Sequence, residues 1–186
     1  MEWKFFTTVT VGFRILYVFV VLGGARRILH WNVTEHPTAA WTIQQFRAVI
    51  SPETPHRFVL HDRDSIYSAT VDHAIGSMGR HVLKTPARTP QANAFCERLI
   101  GTMRRECLDW VIPIHEAHLR RVLREWVPHY NRGRPHASLG PGIPHPLPEA
   151  NRLVSAGHRL PEHTEVIATA ILGGLHDEYR LARHAA

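Results

Sequence analysis

Apolar residues in the first third of the chain cluster and alternate as strands do. Residues 4 to 11, 13 to 22 and 27 to 33 predict three strands, rich in Val, Phe, Ile and Thr. Gly12 and then Gly23-Gly24 separate them, as tight hairpin turns would. The period then changes. Ala39, Ile43, Phe46 and Ile50 recur at +4, +3 and +4, which predicts a helix with Pro37 placed as its first residue. Residues 57 to 61 predict a short fourth strand that runs into Asp62. Val71, Ala74, Ile75 and Met78 predict a second helix closed by Gly79. Residues 80 to 84 predict a fifth strand, and Thr89-Pro90 stands as cap and first residue of a long helix reaching about Trp110. Leu119, Val122, Leu123 and Trp126 predict a further helix that ends near Pro128.

An antiparallel opening followed by alternating elements predicts an α/β domain with a mixed sheet. After Leu139 the prolines 141, 144, 146 and 148 mark a linker. Beyond it, Val166 to Leu172 and Leu175 to Arg180 flank Gly173-Gly174, a hairpin signal. The expected organisation is a core over residues 1–140, a Pro-rich linker over 141–165, and a small C-terminal β-hairpin and tail over 166–186.

Composition narrows the function classes. With 186 residues the chain can hold a core without staples. Two cysteines and no C-x-x-C pair exclude a disulfide scaffold and a four-cysteine zinc site. Apolar residues make up 44%, which argues against disorder throughout. The run Ile15 to Leu22, with Lys4 and Arg14 before it and Gly23-Gly24-Ala25 after it, has some features of a signal peptide. It is eight residues long, whereas a bilayer needs ~20, and its Val, Tyr17 and Phe19 suit a buried strand. No membrane partner is expected, and the expected location is cytoplasmic.

Charge adds a partner. Lys and Arg number 22 against 16 Asp and Glu, a net +6. Between Arg80 and Arg134 stand eleven basic and five acidic residues, so this stretch alone holds an excess of +6. A solvated basic helix face accounts for this. So does a polyanion partner, of which nucleic acid is the commonest.

Several residues are placed for chemistry. Asp62 ends a strand, where open α/β sheets hold active-site carboxylates; a turn aspartate capping the next helix explains it as well. Glu97 lies in the long helix, with Asn93 one turn before and Arg104 two turns after on the same face. Phe95, Leu99 and Met103 are offset toward the core. A surface ion pair is the plain reading of such a Glu beside an Arg. His115-Glu116-Ala117-His118 is one residue short of a zinc-protease pair. His61 and His81 are expected half-exposed. Cys96 and Cys107 are expected as buried thiols, and Trp41, Trp110 and Trp126 as core.

These residues carry a resemblance. Pro90-Gln91-Ala92-Asn93-Ala94-Phe95-Cys96-Glu97-Arg98, followed by Arg104, resembles the glutamate motif of integrase-core (DDE) transposases of bacterial insertion sequences, relatives of retroviral integrases. Asp62-Arg63-Asp64-Ser65-Ile66-Tyr67 resembles their second aspartate motif, with 34 residues between Asp62 and Glu97. Tyr130-Asn131-Arg132-Gly133-Arg134-Pro135-His136-Ala137-Ser138-Leu139 is similar to the signature that follows the core in many of them. The likeness covers residues 4 to about 140. It implies a ribonuclease H-like fold and metal-dependent phosphoryl transfer in DNA integration or transposition, with Mg²⁺ or Mn²⁺ held by carboxylates. Carried over, Asp62 would bridge the metals and Glu97 would bind one. Asn93 and Arg104 would contact or orient the DNA strand, and Lys84, Arg88, Arg98 and Arg105 would touch phosphates. DNA is the implied partner, with a homo-oligomer as a further one.

One departure stands out. The family's first aspartate directly precedes an aromatic pair like Phe5-Phe6, and here that position is Lys4. An ammonium offers no lone pair to a metal and repels it. Asp64 stands where relatives often have Gly. Glu2 points to the same strand face as Lys4 but is displaced by roughly 6.6 Å, two strand rises. Relatives usually carry helix-turn-helix segments before the core. The expectation is a truncated, inactive transposase core. The alternatives are a competent recombinase using Glu2 or separately encoded segments, and a non-catalytic module of the same fold that binds DNA or a partner.

Overall fold

The computed structural model describes residues 1–61, 68–85, 94–140, 142–146, 160 and 163–183. Their contacts divide into two compact units, residues 1–120 and 121–186.

The first unit is built on β1 (Glu2–Val9), β2 (Ile15–Leu22), β3 (Ile28–Thr34), β4 (Phe58–His61) and β5 (His81–Lys84), ordered β3-β2-β1-β4-β5. β1 to β3 form an antiparallel meander, and β4 runs parallel to both β1 and β5. The sheet is therefore mixed, as the order of elements predicts. Helices α1 (Ala39–Val49), α2 (Ser68–Ser77) and α3 (Ala94–Met103) flank it, and α3 continues into a π-helical turn over Arg104–Leu108.

Alternation along β1 sorts its side chains. Trp3 joins Phe19, Val21, Val59, Phe46 of α1, and Val71 and Ile75 of α2 in one core. Glu2, Lys4 and Phe6 meet α3 and the turn after it through Cys96, Glu97 and Arg104. The apolar run over Ile15–Leu22 is the paired strand β2, buried from Val18 to Leu22.

Several local expectations are corrected. Pro37 is not the first residue of α1. Thr38 caps that helix, its side chain accepting from Trp41 N at 3.1 Å, and Pro37 stands just outside. In the first hairpin the left-handed residue is Phe13 (φ 59°), not Gly12, because the turn spans Thr10 to Arg14. In the second, Ala25 and Arg26 take positive φ. Gly23 is needed for space instead, since a Cβ there would lie 2.8 Å from Leu29. Phe95 is exposed, while Cys96, Leu99, Ile100 and Met103 form the buried stripe of α3. Trp110 is exposed as well, its indole donating to Arg105 O at 2.8 Å. His61 is buried rather than half-exposed. The cap and first residue expected at Thr89-Pro90 lie outside the described residues.

Helix α4 (Glu116–Arg132) does not stop at Pro128 but runs one turn past it. The proline ring removes one backbone donor. Buried Val127, His129 and Tyr130 anchor the turns on either side, and Arg124, whose carbonyl loses that donor, is exposed. In the second unit, β6 (Thr164–Ile171) and β7 (His176–Arg183) pair antiparallel around Gly173-Gly174, as the hairpin signal predicts. Glu178 of β7 meets His129 Nδ1 at 2.8 Å, and the His129 and His176 rings stack 5.0 Å apart. Glu125 accepts from Leu172 N.

Candidate functional site

The residues singled out for chemistry gather where β1 faces α3. β1 is the central strand, and its side chains alternate, so Glu2 and Lys4 point to one side together. Lys4 Nζ donates to Glu97 Oε1, an ion pair between residues 93 apart in sequence. Lys4 is about three-quarters buried, whereas Glu97 is half-exposed. The ammonium thus stands against the carboxylate that the motif would assign to metal binding.

Glu2 is turned to a different partner. It is buried, and its Oε1 accepts from the backbone N–H of Cys96 at 3.0 Å in the first turn of α3. Such a carboxylate satisfies an orphan donor at a helix start. Burial pushes the Glu2 carboxyl above its ordinary range, and the Cys96 N–H opposes that rise. Burial, with Glu2 alongside, pushes the Cys96 thiol far up, so it is an inert core group. This capping role was missed from the sequence, where nothing local pairs residue 2 with residue 96.

Arg104 also faces β1. Its guanidinium donates to Thr7 O at 2.9 Å and lies 5.9 Å from the Phe6 ring centroid. Glu97 and Arg104 therefore do share a stripe, as their spacing predicts. Arg98 and Arg105 are exposed on the same helical segment. Phe95, at the tip of α3, carries the Arg26 guanidinium 5.2 Å from its ring centroid.

Lys84 is already engaged. Its Nζ lies 2.7 Å from Asp72 Oδ2, and Asp72 Oδ1 lies 2.8 Å from Nε2 of buried His61. The pairing follows from register, since His61 and Lys84 are partners across β4 and β5. Asp62, Asp64, Arg88 and Asn93 lie outside the described residues. Among the described residues no group of three or more His, Cys, Asp or Glu is arranged to hold a metal. His115 and His118 serve the start of α4 instead, each Nδ1 accepting a backbone N–H at 3.1 Å. Among the described residues no helix is long and apolar enough to cross a membrane.

Comparison with known proteins converges on one class. Residues 80–144 match the integrase core domain family model. A 62-residue stretch is 40% identical to an uncharacterized 39.2 kDa protein of insertion element IS476 from Xanthomonas euvesicatoria, covering 32% of this chain and 17% of that protein. The chain thus spans under a fifth of the curated relative it matches. The catalytic core of BIV integrase superposes with a TM-score of 0.53 at 16% identity, over 77% of this chain and 90% of that one. A chain from the simian T-cell lymphotropic virus intasome, solved with the PP2A regulatory subunit B56 gamma, superposes with a TM-score of 0.59 at 12% identity. That match covers 96% of this chain and 64% of the other. The fold is accordingly ribonuclease H-like.

Proposed function

We propose that this chain, made an integrase-core protein of the insertion-element kind by its motifs, its mixed sheet and its matched segment, binds DNA without cutting or joining it. The observation that carries the reading is the ion pair between Lys4 and Glu97. Integrase cores of this class generally use a divalent metal. The described residues do not fit a metal pair. The carboxylate of Glu97 is answered by an ammonium, and that of Glu2 is turned into the start of α3. Catalysis of phosphoryl transfer rests chiefly on positive charge fixed around the transferring group. A Lys–Glu pair is neutral overall and supplies little of it.

DNA binding remains open to the same chain. Arg98 and Arg105 are exposed beside Glu97 on α3 and its continuation, and backbone phosphates need only such positive groups. The DNA-contacting roles carried over for Asn93 and Arg88 belong to this proposal by motif alone.

The test compares three preparations on a short duplex with Mg²⁺ or Mn²⁺: the unaltered chain, Lys4→Asp, and Lys4→Asp with Glu97→Gln. The unaltered chain should bind the duplex equally with and without metal and leave it intact. Lys4→Asp should raise affinity for Mn²⁺, read by calorimetry, and Glu97→Gln should take that gain away. Metal-dependent nicking of the duplex by the unaltered chain would overturn the proposal.

A further inference from the structure

Phe95 is the large apolar residue of α3 that packing leaves out. It is 53% exposed, whereas Cys96, Leu99, Ile100 and Met103 of the same helix are buried. The Arg26 guanidinium lies over its ring, 5.2 Å from the centroid. A cation on one face holds the ring in place and leaves the rest of it to solvent. Arg26 is delivered by a strained turn. Ala25 and Arg26 stand in succession at φ 52° and 62°, a region disfavoured for any residue with a side chain. Strain of this kind gathers at ligand-binding sites. Arg98 follows Phe95 by three positions, so the two are neighbours on the helix surface, and Arg98 is exposed. Among the described residues no carboxylate stands within ion-pair distance of Arg26 or Arg98. Glu97, the nearest acid in sequence, is taken by Lys4.

We propose that Phe95 is a stacking platform for an unpaired nucleobase, so that the chain holds single-stranded DNA more tightly than duplex. The inference rests on the DNA-binding reading and adds to it a preference between strand states. Every base offers a π-face to such a ring, and Arg98 is placed to meet the phosphate beside it. In a duplex the faces of each interior base are covered by its neighbours, so the ring has nothing to stack on. Charge alone would not discriminate in this way, since phosphates are present in both forms. An apolar partner is the poorer occupant, because two cations without carboxylate partners flank the ring.

Fluorescence anisotropy of the whole chain tests this. The probes are a labelled single strand of about twelve thymidines, within the span of such sites, and a blunt duplex of the same length. The unaltered chain should bind the single strand roughly tenfold tighter, the gain that one stacked base supplies. Phe95→Leu should remove that preference and leave duplex affinity unchanged. The salt slope for the single strand should not move in Phe95→Leu, because no phosphate contact is lost. Phe95→Trp should keep the preference, and the single strand should quench its indole fluorescence beyond any quench of the unaltered chain. Equal affinity of the unaltered chain for both probes would overturn the proposal and leave the DNA-binding reading standing. A preference that survives Phe95→Leu, or a loss that falls on strand and duplex alike, would do the same. A chain that binds neither probe would overturn both.

Discussion

Glu2 and Lys4 stand two residues apart on β1 and meet successive residues of α3, Cys96 and Glu97. One carboxylate is buried at a helix start, and one cation neutralises an exposed acid. Burial is the larger influence on Glu2, so its folded-state pKa lies above the ordinary 4.5. The folded chain then holds that proton more tightly than the unfolded chain. The stability this contributes is present below the ordinary pKa and lost as pH rises through the raised one. Glu2→Gln keeps an oxygen for the Cys96 N–H and removes the buried charge. The variant should match or exceed the parent in melting temperature at neutral pH. That advantage should close as pH falls below 4.5. A parent more stable than Glu2→Gln at neutral pH, with the gap closing in acid, would mean the helix start holds the carboxyl low instead.

Among elements, the end of α4 meets the C-terminal hairpin through His129 and Glu125. His129 is buried, and its Nδ1 meets the Glu178 carboxylate of β7. Gly133 lies under that carboxylate, so closely that a Cβ there would come within 2.0 Å of Glu178 Oε1. In Gly133→Ala the flexible end of Glu178 must swing away and leave His129. Depriving a buried polar group of its partner costs about 1–3 kcal/mol. Amides of β6 and β7 should then exchange faster, with those of β1 to β3 unchanged. Glu178→Ala should have the same effect, and adding Gly133→Ala to it should cost little more. Equal costs in both backgrounds would show that Gly133 acts through something other than Glu178.

Across the whole molecule, the basic excess between Arg80 and Arg134 is less available than its count suggests. Lys84 pairs with Asp72, Arg120 with Glu116, and Arg104 and Arg80 donate to backbone carbonyls. Arg98, Arg121 and Arg124 are exposed. The logarithm of DNA affinity should fall linearly with the logarithm of salt, with slope about −0.9 per neutralised phosphate. Arg98→Ala should reduce that slope by about one and weaken binding across sequences alike. Lys84→Ala should change it less, because Asp72 already answers that charge. Filter binding over a salt series reads both. Affinity indifferent to salt, or Lys84→Ala outweighing Arg98→Ala, would contradict this distribution of charge.

Much of the architecture was legible in the chain itself. Strands β1 to β5 lie within two residues of where the apolar period placed them, because alternation over a few residues is a local property. The same holds for Gly79 closing α2 and Gly173-Gly174 turning the last hairpin, where positive φ is a demand on one residue. Lys4 at the position where the resemblance implies an acid is likewise a feature of the sequence alone. Which groups became partners depended on the three-dimensional packing. Phe13 takes the left-handed turn position because the hairpin register of β1 and β2 sets which residue must. Glu2 reaches Cys96, His61 reaches Asp72 and Lys84, and α4 continues through Pro128 on the strength of packing around it. The Lys4–Glu97 pair joins residues 93 apart, across the crossing of β1 and α3. Local pattern specifies what an element is, but which charge ends beside which depends on how distant elements close on one another.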